Sequence, residues 1–340
     1  MRFGVIGLGF MGRAHLATLA AHPGAAVAAV HDVEPDRLAG ELMPGGGNLD
    51  TGAAAWDPSA VRRCTHLADL LDDGAIDAVV VATPTDRHAD IACAALSAGK
   101  HVFCEKPMAL TVADCDRMLS AAASGGRVLM IGHCLRFWGE YAAAADLVGS
   151  GRFGAVRSVR LWRRGGLPDF GARNWFADVN RSGGVVMDLH VHDADYALLL
   201  LGVPRSVRAR GVAGGDGAGL AEVVASYDYG PGGPVVELSA GWLTGKGVPF
   251  VMGFEIALEA ATILYASDAN PALRVHAADG QPVGPVQPGG GYQAEIDHFI
   301  RGAAAGVVSD LADPASSRQA VALAVAAAES CRTSQAVPIG

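Results

Sequence analysis

Two rhythms of apolar and polar positions divide the chain. Up to residue 132, short unbroken apolar runs recur: RFGVIG, AAVAAVHD, AIDAVVVATP, KHVFCE and RVLMIGH. A strand covered on both faces shows such a run instead of strict alternation. Between the runs lie segments of helical length, RAHLATLAAHPG, DRHADIACAALSAG and TVADCDRMLSAAASGG. The second is closed by Gly99, and the third carries Thr111 at its N-cap and a glycine stop. Strands alternating with amphipathic helices predict an α/β fold: a doubly wound, Rossmann-type parallel sheet with ligands at the carboxyl ends of its strands.

After residue 133 the rhythm changes. AVRSVRLW, SVRARGVA, AEVVASYDY, VVELSAGWL and GFEIALEAATILYA read as strands, some separated by the glycine-rich turns GGDGAG and GPGGP. One segment stands apart, from SGGVVMDLHVHDAD through YALLLLG. It runs from Gly183-Gly184 to Gly202 and Pro204, a helix length with helix stops, and is apolar nearly all round, as a buried helix is. The expected division is a nucleotide-binding domain over 1–132 and a second domain over 133–340.

Composition narrows the partners. About half of the 340 residues are apolar and 18% are charged, as in a compact globular chain. The net charge of −9, with no Lys/Arg cluster, argues against a nucleic-acid-binding surface. The longest apolar runs fall far short of a membrane span, and no charged-then-apolar leader opens the chain. The six cysteines form no C-x-x-C pair, so reduced thiols and a cytoplasmic location are expected. Among 26 basic residues only Lys100, Lys106 and Lys246 are lysines, which draws attention to each.

Candidate chemistry gathers at the strand ends. Gly7-x-Gly9-x-x-Gly12 fits a dinucleotide fingerprint: a tight turn, a close backbone approach to the pyrophosphate, and close packing of helix on strand. Asp32 closes the second strand, where a carboxylate accepts from both ribose hydroxyls and repels a 2′-phosphate. NAD is therefore expected over NADP, with Arg37 near enough in sequence to soften the preference. Thr83, Pro84, Thr85 and His88 end one later strand; Glu105, Lys106 and Pro107 end the next. In MDLHVHDAD a helical period aligns Asp188, Val191, His192 and Asp195 and sends His190 elsewhere. A strand would instead align Asp188, His190 and His192, as in some metal sites. The helix length favours the first reading, and no further ligand lies at a supporting spacing, so no metal is expected.

Six pieces, GLGFMGRAH, ATPTDRH, AGKHVFCEKPMAL, GHCLRFWGEY, SGGVVMDLHVHDAD and GGGYQAEIDHFI, run in one order over nearly the whole chain. In them the sequence resembles the glucose–fructose oxidoreductase / inositol dehydrogenase / rhizopine-catabolism (Gfo/Idh/MocA) family of NAD(P)-dependent oxidoreductases. It departs at Thr85, where an asparagine is common, and matches only loosely from about Arg205 to Gln287. The resemblance implies a C-terminal α+β domain with an open, mostly antiparallel sheet, helices on one face, and a homodimer or homotetramer through that sheet. It implies a cofactor site of Gly7, Gly9, Phe10, Met11, Gly12, Asp32, Thr83, Pro84, Glu105 and Lys106, with His88 bracing the cofactor loop.

The implied catalytic set is Lys106, Asp188 and His192, which with Arg136 and Asn174 also holds substrate. In this reading His192 takes the hydroxyl proton, Asp188 one turn away orients it, and Lys106 stabilises negative charge on the oxygen. Whether Lys106 or His192 is the formal base stays open. Trp175 is expected to stack on a sugar face or to sit in the core, His15 and His22 to lie on helix surfaces or in packing, and His298 on the exposed face of an amphipathic helix. The expected activity is hydride transfer between a secondary hydroxyl of a cyclic polyol, sugar or sugar derivative and the nicotinamide. The alternative is transient use of tightly held NAD for elimination or glycoside cleavage. A non-catalytic ligand sensor is disfavoured, because both the lysine and the histidine are present.

Overall fold

The computed structural model describes residues 1–40, 61–168, 172–215, 217, 219–245, 247–280 and 290–340, and of 172–174 the backbone alone. Strands β1 (Arg2–Ile6), β2 (Ala26–His31), β3 (Arg62–Cys64), β4 (Ala78–Val81), β5 (His101–Glu105) and β6 (Leu129–Gly132) form one parallel sheet. Their order, β3-β2-β1-β4-β5-β6, is doubly wound and reverses between β1 and β4. Every residue of β4 is buried, which is why its sequence runs AVVV without a polar interruption.

Helices α1 (Phe10–Ala21), α2 (Pro35–Leu38), α3 (Leu67–Leu71), α4 (His88–Ser97) and α5 (Val112–Gly125) connect the strands. The Thr111 hydroxyl oxygen accepts from the Asp114 N–H at 3.1 Å, starting α5 as its sequence predicts. Left-handed Gly126 then ends that helix.

The second sheet has eight strands: β7 (Val156–Gly166), β8 (Ser206–Ala213), β9 (Leu220–Asp228), β10 (Val235–Leu243), β11 (Val251–Leu258), β12 (Ala261–Ala266), β13 (Leu273–Ala277) and β14 (Val337–Pro338). They lie in the order β13-β12-β11-β7-β10-β9-β8-β14, and only the β7–β10 pair is parallel. The single expected strand GFEIALEAATILYA is two, β11 and β12, turning at Glu259-Ala260 with neither glycine nor proline to mark the corner. Glu259 fixes that corner by accepting from the Ala155 N–H at 3.2 Å. Strands β13 and β14 are too short and too exposed to have announced themselves.

Helices α6 (Gly139–Gly149), α7 (Val179–Ser182) and α8 (Val191–Leu201) belong to this half of the molecule. Tyr196 of α8 stacks edge-on against Tyr141 of α6, and Tyr141 in turn against Phe254 of β11. The C-terminal stretch then divides. Helix α9 (Gly291–Ala305) crosses back to the parallel sheet, where Phe299 meets the rings of Phe3 and Phe103. Helix α10 (Pro314–Thr333) returns to the second sheet, where Ser330 accepts from the Ala209 N–H. Among the described residues no helix is long and apolar enough to cross a membrane.

Candidate active site

One cleft opens where the carboxyl ends of β1, β4 and β5 face β7, β11 and the segment leading into α8. Its first wall is the glycine turn. Gly7 leaves β1 at φ +93°, and a Cβ there would lie 2.4 Å from the Ala82 carbonyl oxygen. At Gly12 a Cβ would lie 1.8 Å from the Gly7 oxygen, so neither position accepts a side chain. Gly9 differs, because the nearest atom to a Cβ there is Arg37 Nη1 at 3.7 Å. Gly9, Phe10 and Met11 line the cleft, and no side chain caps α1 where it opens onto it.

Asp32 has a structural task that the sequence does not reveal. Its Oδ2 accepts from the Leu8 N–H at 2.6 Å and its Oδ1 from the Glu34 N–H at 2.8 Å, tying the glycine turn to the end of β2. Arg37 Nη1 stands 3.6 Å from Asp32 and itself lines the cleft. Thr83 and Pro84 line the cleft beyond β4, and the Thr83 hydroxyl is buried without a partner. The His88 ring sits between the carbonyl oxygens of Pro107 and Thr83, at 2.9 Å from each, and so ties together the loops after β4 and β5.

Beyond β5 the side chains turn towards chemistry. Glu105 is buried; its Oε1 meets His15 Nε2 at 2.6 Å and its Oε2 accepts from the Lys106 N–H at 3.1 Å. Burial works against its charge, but the His15 hydrogen bond and the nearby cations outweigh that and hold its pKa below the usual value. His15 is therefore no surface residue. It is fully enclosed and buttresses Glu105, a role invisible from its position on an amphipathic helix. Lys106 Nζ donates to the Asp188 backbone oxygen at 3.0 Å and to Asp188 Oδ1 at 3.3 Å. Asp188 Oδ2 accepts from Trp242 Nε1 at 3.3 Å. This link joins the end of β5 to β10 across the cleft.

The expected orientation of His192 by Asp188 is not what the structure contains. Val186–His190 is a π-helical turn, and α8 proper begins only at Val191. A π turn bonds i to i+5 and widens the helix, so residues four apart no longer stack as they do at about 3.6 residues per turn. Asp188 is held by Lys106 and Trp242, and no hydrogen bond joins it to His192. His192 still reaches the cleft lining. Burial, with Lys106, Arg163 and His133 close by, drives its pKa well below the usual imidazole value, so the ring is neutral. His190 turns away and meets the Tyr227 hydroxyl at 3.0 Å; burial lowers its pKa to about 4. Among the described residues no group of His, Cys, Asp and Glu could hold a metal ion.

Arg136 is the clearest correction. Instead of facing the cleft, its guanidinium grips both oxygens of Asp195, at 2.9 and 2.5 Å, and donates to the Leu311 oxygen and the Ser316 hydroxyl. A fork so fully used has little left for a ligand. The Asn174 side chain lies outside the described residues, while Trp175 lines the cleft with its ring against Phe176. His298 is half-buried, bonded to the Ser309 hydroxyl and beside Phe137, and His22 pairs with Asp297. Sequence reasoning passed over Arg163, Met252 and Tyr292, which all line the cleft. For Arg163 a signal existed: strand alternation puts it on the same face as Val159 and Leu161, where an arginine is out of place.

Comparison with known proteins agrees with this fold. Residues 1–133 match the oxidoreductase family with an NAD-binding Rossmann fold, and residues 141–264 match the GFO/IDH/MocA C-terminal domain. Myo-inositol 2-dehydrogenase of Thermotoga maritima is 33% identical over 205 residues, covering 59% of this chain and 55% of its own. Inositol 2-dehydrogenase 2 of Saccharopolyspora erythraea is 36% identical over 205 residues, covering 59% and 54%. The aligned part thus spans about half the length of these curated relatives. Levoglucosan dehydrogenase, in complex with NADH and levoglucosan, superposes with a TM-score of 0.84 over 100% of this chain and 99% of its own, at 23% identity; this shows the shared fold. With both halves matched to the same family, and a doubly wound sheet joined to a mostly antiparallel one, the chain belongs to the Gfo/Idh/MocA family of oxidoreductases.

Proposed function

We propose that the protein is an NAD-dependent dehydrogenase acting on a secondary hydroxyl of a cyclic polyol, sugar or sugar derivative. One observation carries the reading: the bonded pair Lys106–Asp188 and His192 line the same cleft as the glycine turn. The relatives' names, inositol dehydrogenases and a sugar-anhydride dehydrogenase, support the same substrate class.

The residues present suit a dinucleotide. Gly9, Phe10 and Met11 line the cleft at the start of α1, where the pyrophosphate would lie, and the unpartnered Thr83 hydroxyl and Pro84 lie further along it. Asp32, with its carboxylate fixed by two backbone N–H groups, is the ribose ligand and favours NAD over NADP. When bound, NAD supplies the hydride acceptor.

Lys106 has a third ammonium hydrogen beyond the two given to Asp188, and donates it to the reacting oxygen. Asp188 fixes the direction of that ammonium and offsets its charge. His192, neutral and beside the cationic Lys106, accepts the hydroxyl proton; its depressed pKa keeps it ready to do so down to acidic pH. Glu105, held by His15, keeps the backbone at Lys106 in place.

The nucleotide-binding domain is residues 1–132 and the substrate-facing domain residues 133–340, whose helix α9 packs back against the parallel sheet. The uncovered face of the second sheet, which carries Arg160, Arg164 and Glu255, is where subunits pair.

A screen of NAD reduction over inositols, aldoses, uronic acids and sugar nucleotides tests the reading. Accumulating NADH with one of these classes is the expected result. Substrate turnover without NADH would transfer the protein to the redox-neutral class.

A further inference from the structure

Five charged side chains line the cleft among the described residues: Arg37, Glu105, Lys106, Arg163 and Asp188. Four have clear employment. Glu105 serves His15 and the Lys106 backbone, Asp188 serves Lys106 and Trp242, and Arg37 lies against Asp32 on the cofactor side. Arg163 is different. It stands on the core face of β7 and is 3% exposed, directly opposite Met252 of β11.

Its donors are poorly used. Nη2 gives one bond to Asp193 Oδ1 at 3.1 Å, Nη1 meets only the Met252 thioether at 3.0 Å, and Nε has no partner. A thioether is a weak acceptor, and a guanidinium carries five N–H donors, so most of this fork is unsatisfied in a dry wall. Unmet buried donors are costly, and a ligand that meets them recovers that cost as affinity. Behind the guanidinium, Asp193 is wholly enclosed and its second oxygen has no partner. Asp193 therefore anchors the guanidinium by one bond, and Arg163 lines the cleft with donors to spare.

We propose that Arg163 determines substrate specificity by binding a carboxylate of the substrate, so that sugar acids such as uronic acids are preferred over neutral sugars and polyols. The two oxygens of a carboxylate match two N–H groups of a planar fork, which a single hydroxyl cannot do. Asp193 holds that fork through one oxygen only, at 3.1 Å, so the anchor leaves donors of the guanidinium to a second carboxylate.

This inference rests on the dehydrogenase reading of the same cleft, and its test keeps the two apart. kcat/KM for NAD reduction is measured with the full chain on glucuronate and glucose, galacturonate and galactose, and mannuronate and mannose. At least one acid should be preferred to its neutral partner by about 100-fold, the scale of a charge-assisted pair. Arg163→Met should collapse that acid-over-neutral ratio by about the same factor. Arg163→Lys should leave an intermediate ratio, since the charge stays and the fork is lost. Because Arg163→Met strands Asp193, the double variant Arg163→Met/Asp193→Asn is run beside it as a folded control. No acid preference in any pair, or an equal loss on acid and neutral sugar, overturns the proposal and makes Arg163 a strut. If no sugar reduces NAD, the dehydrogenase reading fails by itself. Calorimetric binding of the same pairs to the NAD-loaded protein then decides the inference by the same ratio.

Discussion

Asp188, Asp193 and Asp195 lie within eight residues of one another, yet each answers to a different cation from a different place in the chain. Asp195 is gripped by Arg136 from the turn after β6, Asp193 by Arg163 on β7, and Asp188 by Lys106 at the end of β5. The first pair is closed: the carboxylate takes two hydrogen bonds, the guanidinium gives two more elsewhere, and both are buried. The last pair is open, with side chains 16% and 14% exposed at the cleft and one ammonium hydrogen unspent. Residue type alone does not separate the closed pair from the open one. What separates them is exposure to the cleft together with the number of donors and acceptors left unspent.

The comparison breaks first at the open pair. Lys106→Ala should cut kcat by about a thousandfold, within the range of positioned acid–base groups, with NAD affinity nearly unchanged. His192→Ala should fall in the same range. Steady-state kinetics and a fluorescence titration with NAD read both effects. Turnover within about tenfold of the parent would class the Lys106–Asp188 pair with the struts.

The closed pair predicts the opposite signature. Arg136→Met leaves a buried carboxylate beside His133, 3.6 Å away, and should destabilise the fold by about 3–5 kcal/mol. The folded remainder should keep its kcat/KM. Arg136→Met/Asp195→Leu should recover most of the stability in a thermal melt, since an apolar pair carries no stranded charge. A selective loss of substrate affinity in Arg136→Met would return that residue to the binding site.

Much of the fold was legible in the sequence because the parallel sheet is buried on both faces and its strands read as unbroken apolar runs. The glycine turn was legible for a steric reason, since positions 7 and 12 have no room for a Cβ. What failed was pairing. A helical period places Asp188 and His192 on one face, but the π turn breaks that period, and nothing in VVMDLH marks a widened turn. Arg136 and Lys106 are both cations near the carboxyl end of a strand, and sequence does not show that one is spent on Asp195 and the other is not. The lysines make the same point: Lys100 donates to the carbonyl oxygens of Asp73 and Ile76 and is structural, while Lys106 faces the cleft. Arg163, by contrast, is visible in the pattern, since strand alternation in β7 puts an arginine on the core face.

The aspartates have neutral histidine companions, and pH separates them. His190 has its pKa lowered from 6.5 to about 4 by burial, so the unfolded chain takes up a proton more readily than the folded one. The stability that this contributes is fully present above pH 6.5 and is lost as pH falls through about 4. His133 behaves in the same way, burial being the main cause. Glu295, whose pKa burial raises, acts with the opposite sign, so a difference between proteins isolates the histidine better than one melt. His190→Gln keeps a partner for the Tyr227 hydroxyl but cannot titrate. It should be the less stable protein at neutral pH, and the gap should narrow by about 3 kcal/mol towards pH 4. A gap that stays constant over that window would show that His190 is not held neutral.

The finest division lies within the open pair. Asp188 has two keepers: Lys106, and Trp242, whose Nε1 donates to Oδ2 over 3.3 Å. Trp242→Phe removes that donor while keeping most of the buried ring. One neutral hydrogen bond contributes about 1 kcal/mol, so the melt should move by only a few degrees. Its effect on turnover tests what the tryptophan is for. If Asp188 directs the Lys106 ammonium, freeing one carboxylate oxygen lets the pair rotate, and kcat should fall about fivefold with KM little changed. The loss should be far smaller than in Lys106→Ala, because the bonds from Lys106 to the Asp188 carboxylate and backbone oxygen remain. A kcat equal to the parent's would mean that Lys106 alone sets the geometry and Trp242 only fills the wall. A loss as deep as that of Lys106→Ala would mean that the direction of the Asp188 carboxylate, more than the charge on the lysine, controls the reaction.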